Sequence, residues 1–193
     1  MLRRIVPIAA LTLAFATPAM AREMSVNSPE ELLNQANQMN YQEEQSAKVA
    51  LSKAGDNQAL MTYADTLKYD HQANEDAVSA LARQKSIKLE GTESKSEITN
   101  KFNDMKGGEF DSAFLEDQVK DHEKMIGLFK QAREQFASDP DMRVYIDETI
   151  PVLESHLKVA ENLHKDMASG SSENPANNKS TTKDMGESSA NNR

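Results

Sequence analysis

The chain has 193 residues, no cysteine, and 31 acidic against 22 basic side chains, for a formal net charge of −9. The missing thiols exclude disulfides, thiolate chemistry and lipid attachment to an N-terminal cysteine. The acidic balance argues against nucleic acid, whose phosphates need concentrated Lys and Arg, and favours solubility and cations while saying nothing of fold.

The first 21 residues read as a secretory signal peptide. Arg3 and Arg4 form a positive start, Ile5 to Thr17 is an apolar run broken only by Pro7 and Thr12, and Ala19-Met20-Ala21 is a small-x-small cleavage site. The run is too short for a stable membrane span, and no later stretch is long enough. The mature chain would begin at Arg22, in a bacterial periplasm or outside the cell. It loses two arginines and no acid, so its charge moves from −9 to −11. Residues 168–193 are rich in Ser, Asn, Gly and Lys and nearly free of apolar residues, so the reading is a disordered polar tail. Residues 22–167 remain, enough for one domain with a sizeable core.

Ser28-Pro29-Glu30-Glu31 has the chemistry of a helix start, with a cap, Pro at the first position and Glu three residues after the cap. That helix runs to about Ala54 before Gly55, with Leu32, Ala36, Met39, Ala47, Ala50 and Ala54 along one stripe. Glu43 interrupts the stripe. A second helix, capped by Asp56, reaches about Ser86 through Leu60, Ala64, Leu67, His71, Asn74/Glu75, Val78 and Leu81/Ala82. The short Gly55-Asp56 connection makes the two helices antiparallel neighbours.

The segment from Ile87 to Gly108 is a long link, with a short helix expected over 96–105 carrying Ile98, Phe102 and Met105. A third helix follows to about Phe136. Its inner face holds Asp111, Phe114/Leu115, Gln118, His122, Met125/Ile126 and Phe129 at spacings of three and four. Ser138 to Asp141 forms a tight, capped turn. A fourth helix spans about Pro140 to Met167, with Val144, Ile150/Val152, Leu153, His156/Leu157, Ala160 and Leu163 as its stripe and Pro151 inside it. No alternating strand pattern occurs. The expected fold is an all-α, up-down-up-down four-helix bundle with a longer connection between its two hairpins.

Each helix thus places one ionisable residue in its buried line: Glu43, His71, His122 and His156. Counting from the turns at ~1.5 Å per helical residue puts Glu43 and His71 within roughly 4–5 Å in height, and His122 level with His156. All four fall near the middle of the bundle. His164 lies about 12 Å further along the fourth helix and reads as a surface residue, and Asp111 lies roughly 16 Å from His122 and reads as an end anchor. Asp70 and Asp121 directly precede two of the histidines. Adjacent helical residues do not face each other, so a solvated or capping role is expected for both, with support of a histidine across helices as the other option.

One Glu and three His on four facing helices form a plausible divalent metal set for Zn, Mn, Fe or Cu. The alternative is a structural hydrogen-bond network that fixes helix register. Dinuclear carboxylate bundles use Glu-x-x-His pairs, but Lys68, Val119 and Leu153 stand three residues before His71, His122 and His156. A di-iron site is therefore disfavoured, and any metal site should be mononuclear. The methionines are scattered, as core fillers are. No phosphate loop, Gly-x-Ser-x-Gly or His-Glu-x-x-His occurs, so nothing marks an enzyme.

Several separated motifs occur in order: Glu43 with Ala50, Tyr63-Ala64 through Tyr69-Asp70-His71, Gly108-Glu109-Phe110-Asp111 through Asp121-His122, and Ile150-Pro151-Val152-Leu153-Glu154-Ser155-His156-Leu157. In these the chain resembles the bacterial domain-of-unknown-function family 4142, over about Pro29 to Leu163. The resemblance implies a ferritin-like, usually exported bundle with Glu43, His71, His122 and His156 as its signature set and Asp111 in a Phe-Asp motif. It implies no reaction. Phe114 departs from the pattern, standing where the family often has tyrosine. Two functions remain open at this level: metal binding in a sequestration or stress role, and a non-catalytic envelope interaction or stress-protection role with the same residues as a structural network.

Overall fold

The computed structural model describes residues 26–92 and 101–169. The expected signal peptide, the first half of the expected short link helix and almost all of the polar tail lie outside them. Four helices make up the fold: α1 (Pro29–Lys53), α2 (Gln58–Gln84), α3 (Gly107–Gln135) and α4 (Pro140–Ala168). Among the described residues there is no strand, and no helix is long and apolar enough to cross a membrane.

Local chemistry sets the helix boundaries. Ser28 caps α1 by accepting from the Glu31 N–H, while Glu31 Oε2 accepts from the Asn27 N–H at 2.6 Å. The first bond satisfies a donor that the first turn would leave open, and the second ties the residue before the cap to that turn. The cap of α2 is Asn57 and not Asp56. Gly55 takes a positive φ of 54°, which carries the turn one residue further. Asn57 then uses both halves of its amide: Oδ1 accepts from the Leu60 N–H at 3.1 Å, and Nδ2 donates to Asp111 Oδ2 at 2.8 Å. A carboxylate at this position would have no proton to give Asp111. Asp139 caps α4 by accepting from the Met142 N–H and also binds Lys85 at 2.7 Å. The helix α4 continues through Pro151, which sits on its exposed side. There the carbonyl deprived of its donor can meet water.

The bundle has two hairpins, α1–α2 and α3–α4, joined by residues 85–106. The described parts of that link meet opposite ends of α1. Near its start Glu90 bonds Asn34 and Asn37, and near its end the Lys53 ammonium donates to the carbonyls of Asn103 and Met105. The link therefore travels the length of the bundle, and α2 and α3 point the same way. The four helices and the long connection are as expected, but the directions do not alternate strictly. This is the single-crossover arrangement of ferritin-like bundles. Within the link Lys101 is helical and Phe102 to Asp104 form a turn, so the short helix ends before Met105.

The buried side chains form two apolar cores. One contains Leu32, Leu33, Val78, Met125, Phe129, Met142 and Ile146, and the other Ala47, Ala50, Leu60, Leu67, Phe102, Phe110, Phe114 and Leu115. In the second core Phe102 packs edge-on to Phe110 at 5.5 Å, and Phe110 stacks on Phe114 at 5.9 Å. On α4 the buried line is Met142, Tyr145/Ile146, Thr149/Ile150, Leu153, His156 and Ala160. The expected stripe members Val144 and Val152 are exposed, because the three-and-four spacing selects Tyr145 and Thr149 instead.

Asp111 fastens α3 to the cap of α2 from a buried position. Replacing it with Ala should strand the Asn57 amide and lower stability by about 1–3 kcal/mol. Urea unfolding of Asp111→Ala, with Asn57→Ala and the double variant, measures this, and strict additivity would show that the two side chains do not interact.

Candidate functional site

Between the two apolar cores lies a belt of buried or half-buried polar side chains: Asn40 and Glu43 from α1, His71 and Asn74 from α2, Gln118 and His122 from α3, Thr149 and His156 from α4. The three imidazoles meet at its centre. His71, His122 and His156 are 2, 0 and 3% exposed, and their ring centroids lie 5.3–5.6 Å apart. One nitrogen from each converges on the others, all within 4.8 Å.

The protonation of each ring follows from the atom behind it. His122 Nδ1 faces the Gln118 carbonyl at 2.9 Å. A carbonyl only accepts, so Nδ1 carries the proton and Nε2 the lone pair. His156 Nε2 faces Asp70 Oδ2 at 2.9 Å, and a carboxylate likewise only accepts, so His156 Nδ1 carries the lone pair.

The assignment of His71 comes through a chain of four side chains. The Thr149 hydroxyl donates to the Tyr145 carbonyl at 2.7 Å, leaving its oxygen to accept from Asn74 Nδ2 at 3.1 Å. Asn74 Oδ1 then accepts from the Tyr145 hydroxyl at 2.9 Å and from Asn40 Nδ2 at 2.8 Å. Asn40 is left with its oxygen facing His71 Nδ1 at 3.0 Å, so that nitrogen donates. His71 Nε2 is buried with no partner. Thus three lone pairs point inward, and the 3.3 Å between His122 Nε2 and His156 Nδ1 separates two acceptors with no proton between them.

Burial holds all three rings in the neutral form. It pushes His71 well below its ordinary value, with the other two rings adding to the effect. Burial and the adjacent His156 bring His122 down to about 4. His156 is also lowered by burial, against the opposing pull of Asp70.

Glu43 does not belong to the three-nitrogen group. Its carboxyl bonds the Gln118 side chain, its Oε2 is buried without a partner, and it lines a groove between α1 and α3. Burial raises it to about 8, an effect that the Gln118 hydrogen bond only partly offsets. Asp70 crosses from α2 to α4 to hold His156, and so does more than the solvated or capping role expected of it. Asp121 is half-buried and pairs with Lys124 on its own helix. His164 is half-buried, with its Nε2 3.4 Å from the Ser112 hydroxyl and well away from the cluster. The sequence reading left Asn40, Tyr145 and Thr149 out of the site. Their signal was a polar side chain at three-and-four spacing within an apolar line.

The fold and the belt define a class: an all-α bundle with a hairpin–crossover–hairpin path and three neutral imidazoles converging at mid-height. The chain belongs to the domain-of-unknown-function family DUF4142, whose model matches residues 14–163. No curated protein and no solved structure matches it.

The titrations oppose one another. Unfolding raises the depressed histidine values toward 6.5, so the unfolded chain binds more protons below that pH, and stability falls as pH drops from 6.5 toward 4. Glu43 holds its proton in the fold up to about pH 8 but loses it near 4.5 when unfolded, so its contribution is complete below 4.5 and is lost as pH rises toward 8. Stability of the metal-free protein should therefore peak near neutral pH. Glu43→Gln should flatten the alkaline decline and leave the acid limb in place, as read by chemical denaturation from pH 4 to 9.

Proposed function

We propose that the protein is an exported bundle that binds one divalent transition-metal ion through His71 Nε2, His122 Nε2 and His156 Nδ1, in a sequestration or stress role at the cell envelope. The observation that carries this reading is the convergence of three buried imidazole nitrogens whose lone pairs face one another. Ligand nitrogens around a tetrahedral zinc ion at ~2.0–2.1 Å lie about 3.3 Å apart. One pair already stands at 3.3 Å and no pair exceeds 4.8 Å. Each ring's other nitrogen donates to an oxygen, the support that fixes tautomer and orientation in metal-binding histidines. Three neutral imidazoles without a thiolate suit Zn, Cu or Fe better than Mn, which prefers oxygen. A three-nitrogen shell leaves a fourth position for water, and the absent Glu-x-x-His pairs favour a single ion. Export is supported by the basic, apolar and small-x-small order of residues 1–21.

The rival reading is a structural role, favoured by the continuity of His71 with the Asn40–Asn74–Thr149 chain. The two part on metal. Chelator-stripped protein mixed with Zn should retain one ion per chain after gel filtration, and its melting temperature should rise, because an ion that binds only the folded state stabilises it. His122→Ala/His156→Ala should lose both effects. Retention should persist through pH 6 and weaken only toward pH 4, where protons begin to compete for the same buried nitrogens. If Zn, Mn, Fe and Cu all fail to be retained and leave the melting temperature unchanged, the histidines are a structural network.

A further inference from the structure

We propose that the groove between α1 and α3, floored by Glu43, is the port through which a divalent cation reaches the three histidines, with Glu43 releasing its proton to water as the ion enters and serving as its transient carboxylate ligand. The inference rests on the metal reading above. The rings are at most 3% exposed, so a hydrated ion needs an opening. α1 and α3 form the sparsest contact between neighbouring helices. A groove of about 460 Å³ opens there, with Met39, Gln42, Glu43, Asp117, Asp121 and Met125 among its walls.

Two oxygen atoms at this level lack partners. Glu43 is 4% exposed and its Oε2 bonds nothing; Gln118, joined to the Glu43 carboxyl, is 1% exposed and its Oε1 bonds nothing. A buried carboxyl oxygen left unpaired is unfavourable, and a passing cation would relieve that penalty. The Glu43–Gln118 bridge spans the gap between α1 and α3. Gln118 precedes His122 by one helical turn, about 6 Å, and its carbonyl accepts from that ring. The bridge thus forms a floor between the groove and the nitrogens. At the rim Asp117 pairs with Lys101 and Asp121 with Lys124, and these lysines can swing aside because both are exposed. On the α2/α4 side Asp70 is engaged in orienting His156.

A port residue lowers the barrier in both directions, so its loss slows loading and release together and leaves the equilibrium nearly fixed. A resident ligand acts mainly on release. Stopped-flow absorbance of the mature chain with Co²⁺ alone, and of the loaded protein with excess chelator, separates these cases. Glu43→Gln, isosteric with the protonated acid, should slow both steps about tenfold with Kd changed by less than about threefold. Gln42→Trp, at an exposed position on the groove, should also slow loading. Unchanged rates in both variants would overturn the port. So would faster release and a raised Kd in Glu43→Gln, which would make Glu43 a resident ligand. Slower loading in Asp70→Asn alone would place access on the opposite side. If the unaltered protein takes up no Co²⁺, the metal reading fails and the port falls with it.

Discussion

Three neutral imidazoles aim their lone pairs at one another in the middle of the bundle, and each is held there by an oxygen that can only accept. The Gln118 carbonyl holds His122, the Asp70 carboxylate holds His156, and the Asn40 amide oxygen, oriented from the Tyr145 carbonyl through Thr149 and Asn74, holds His71. None of the three rings can turn over to relieve the opposition without breaking one of these hydrogen bonds. Burial also lowers the affinity of all three for a proton. An arrangement of this kind is costly in a bare core and favourable around a cation.

The surrounding fold gives the belt its position. Two apolar cores lie on either side of it, and because polar partners come from all four helices, sliding any helix by one turn would strand several buried groups. Buried polar networks can fix register in this way while adding little net stability. The crossover link has a related role. By starting at one end of α1 and finishing at the other it makes α2 and α3 parallel, so every neighbouring pair of helices is antiparallel. The capping pair Asn57–Asp111 and the ion pair Lys85–Asp139 then tie the two ends.

Much of this was legible in the sequence, for identifiable reasons. Periodicity gave four helices, and counting from the turns gave a common height for His71, His122 and His156, because helical rise is nearly constant. Glu43 shows the resolution of that method. Its expected offset of roughly 4–5 Å is close to one helical turn, which is the difference between joining the nitrogens and flooring the groove beside them. For Asp70 support of a histidine across helices was the less favoured of two options, since spacing within α2 excludes it from His71 but cannot show that it crosses to α4. Val144 and Val152 misled because apolar character was weighed above period. Tyr145 and Thr149, which fill the period, are the residues that polarise the hydrogen-bond chain. The parallel course of α2 and α3 was hidden because the length of the 85–106 link permits either a return to the same end or a full crossing.

The most direct test is the protonation of the three rings in the metal-free protein. Long-range ¹H–¹⁵N correlation spectra at neutral pH should show His71 and His122 protonated at Nδ1, His156 protonated at Nε2, and three unprotonated nitrogens that shift together when one equivalent of Zn is added. A ring found as imidazolium at neutral pH, or protonated on its inward nitrogen, would contradict the account.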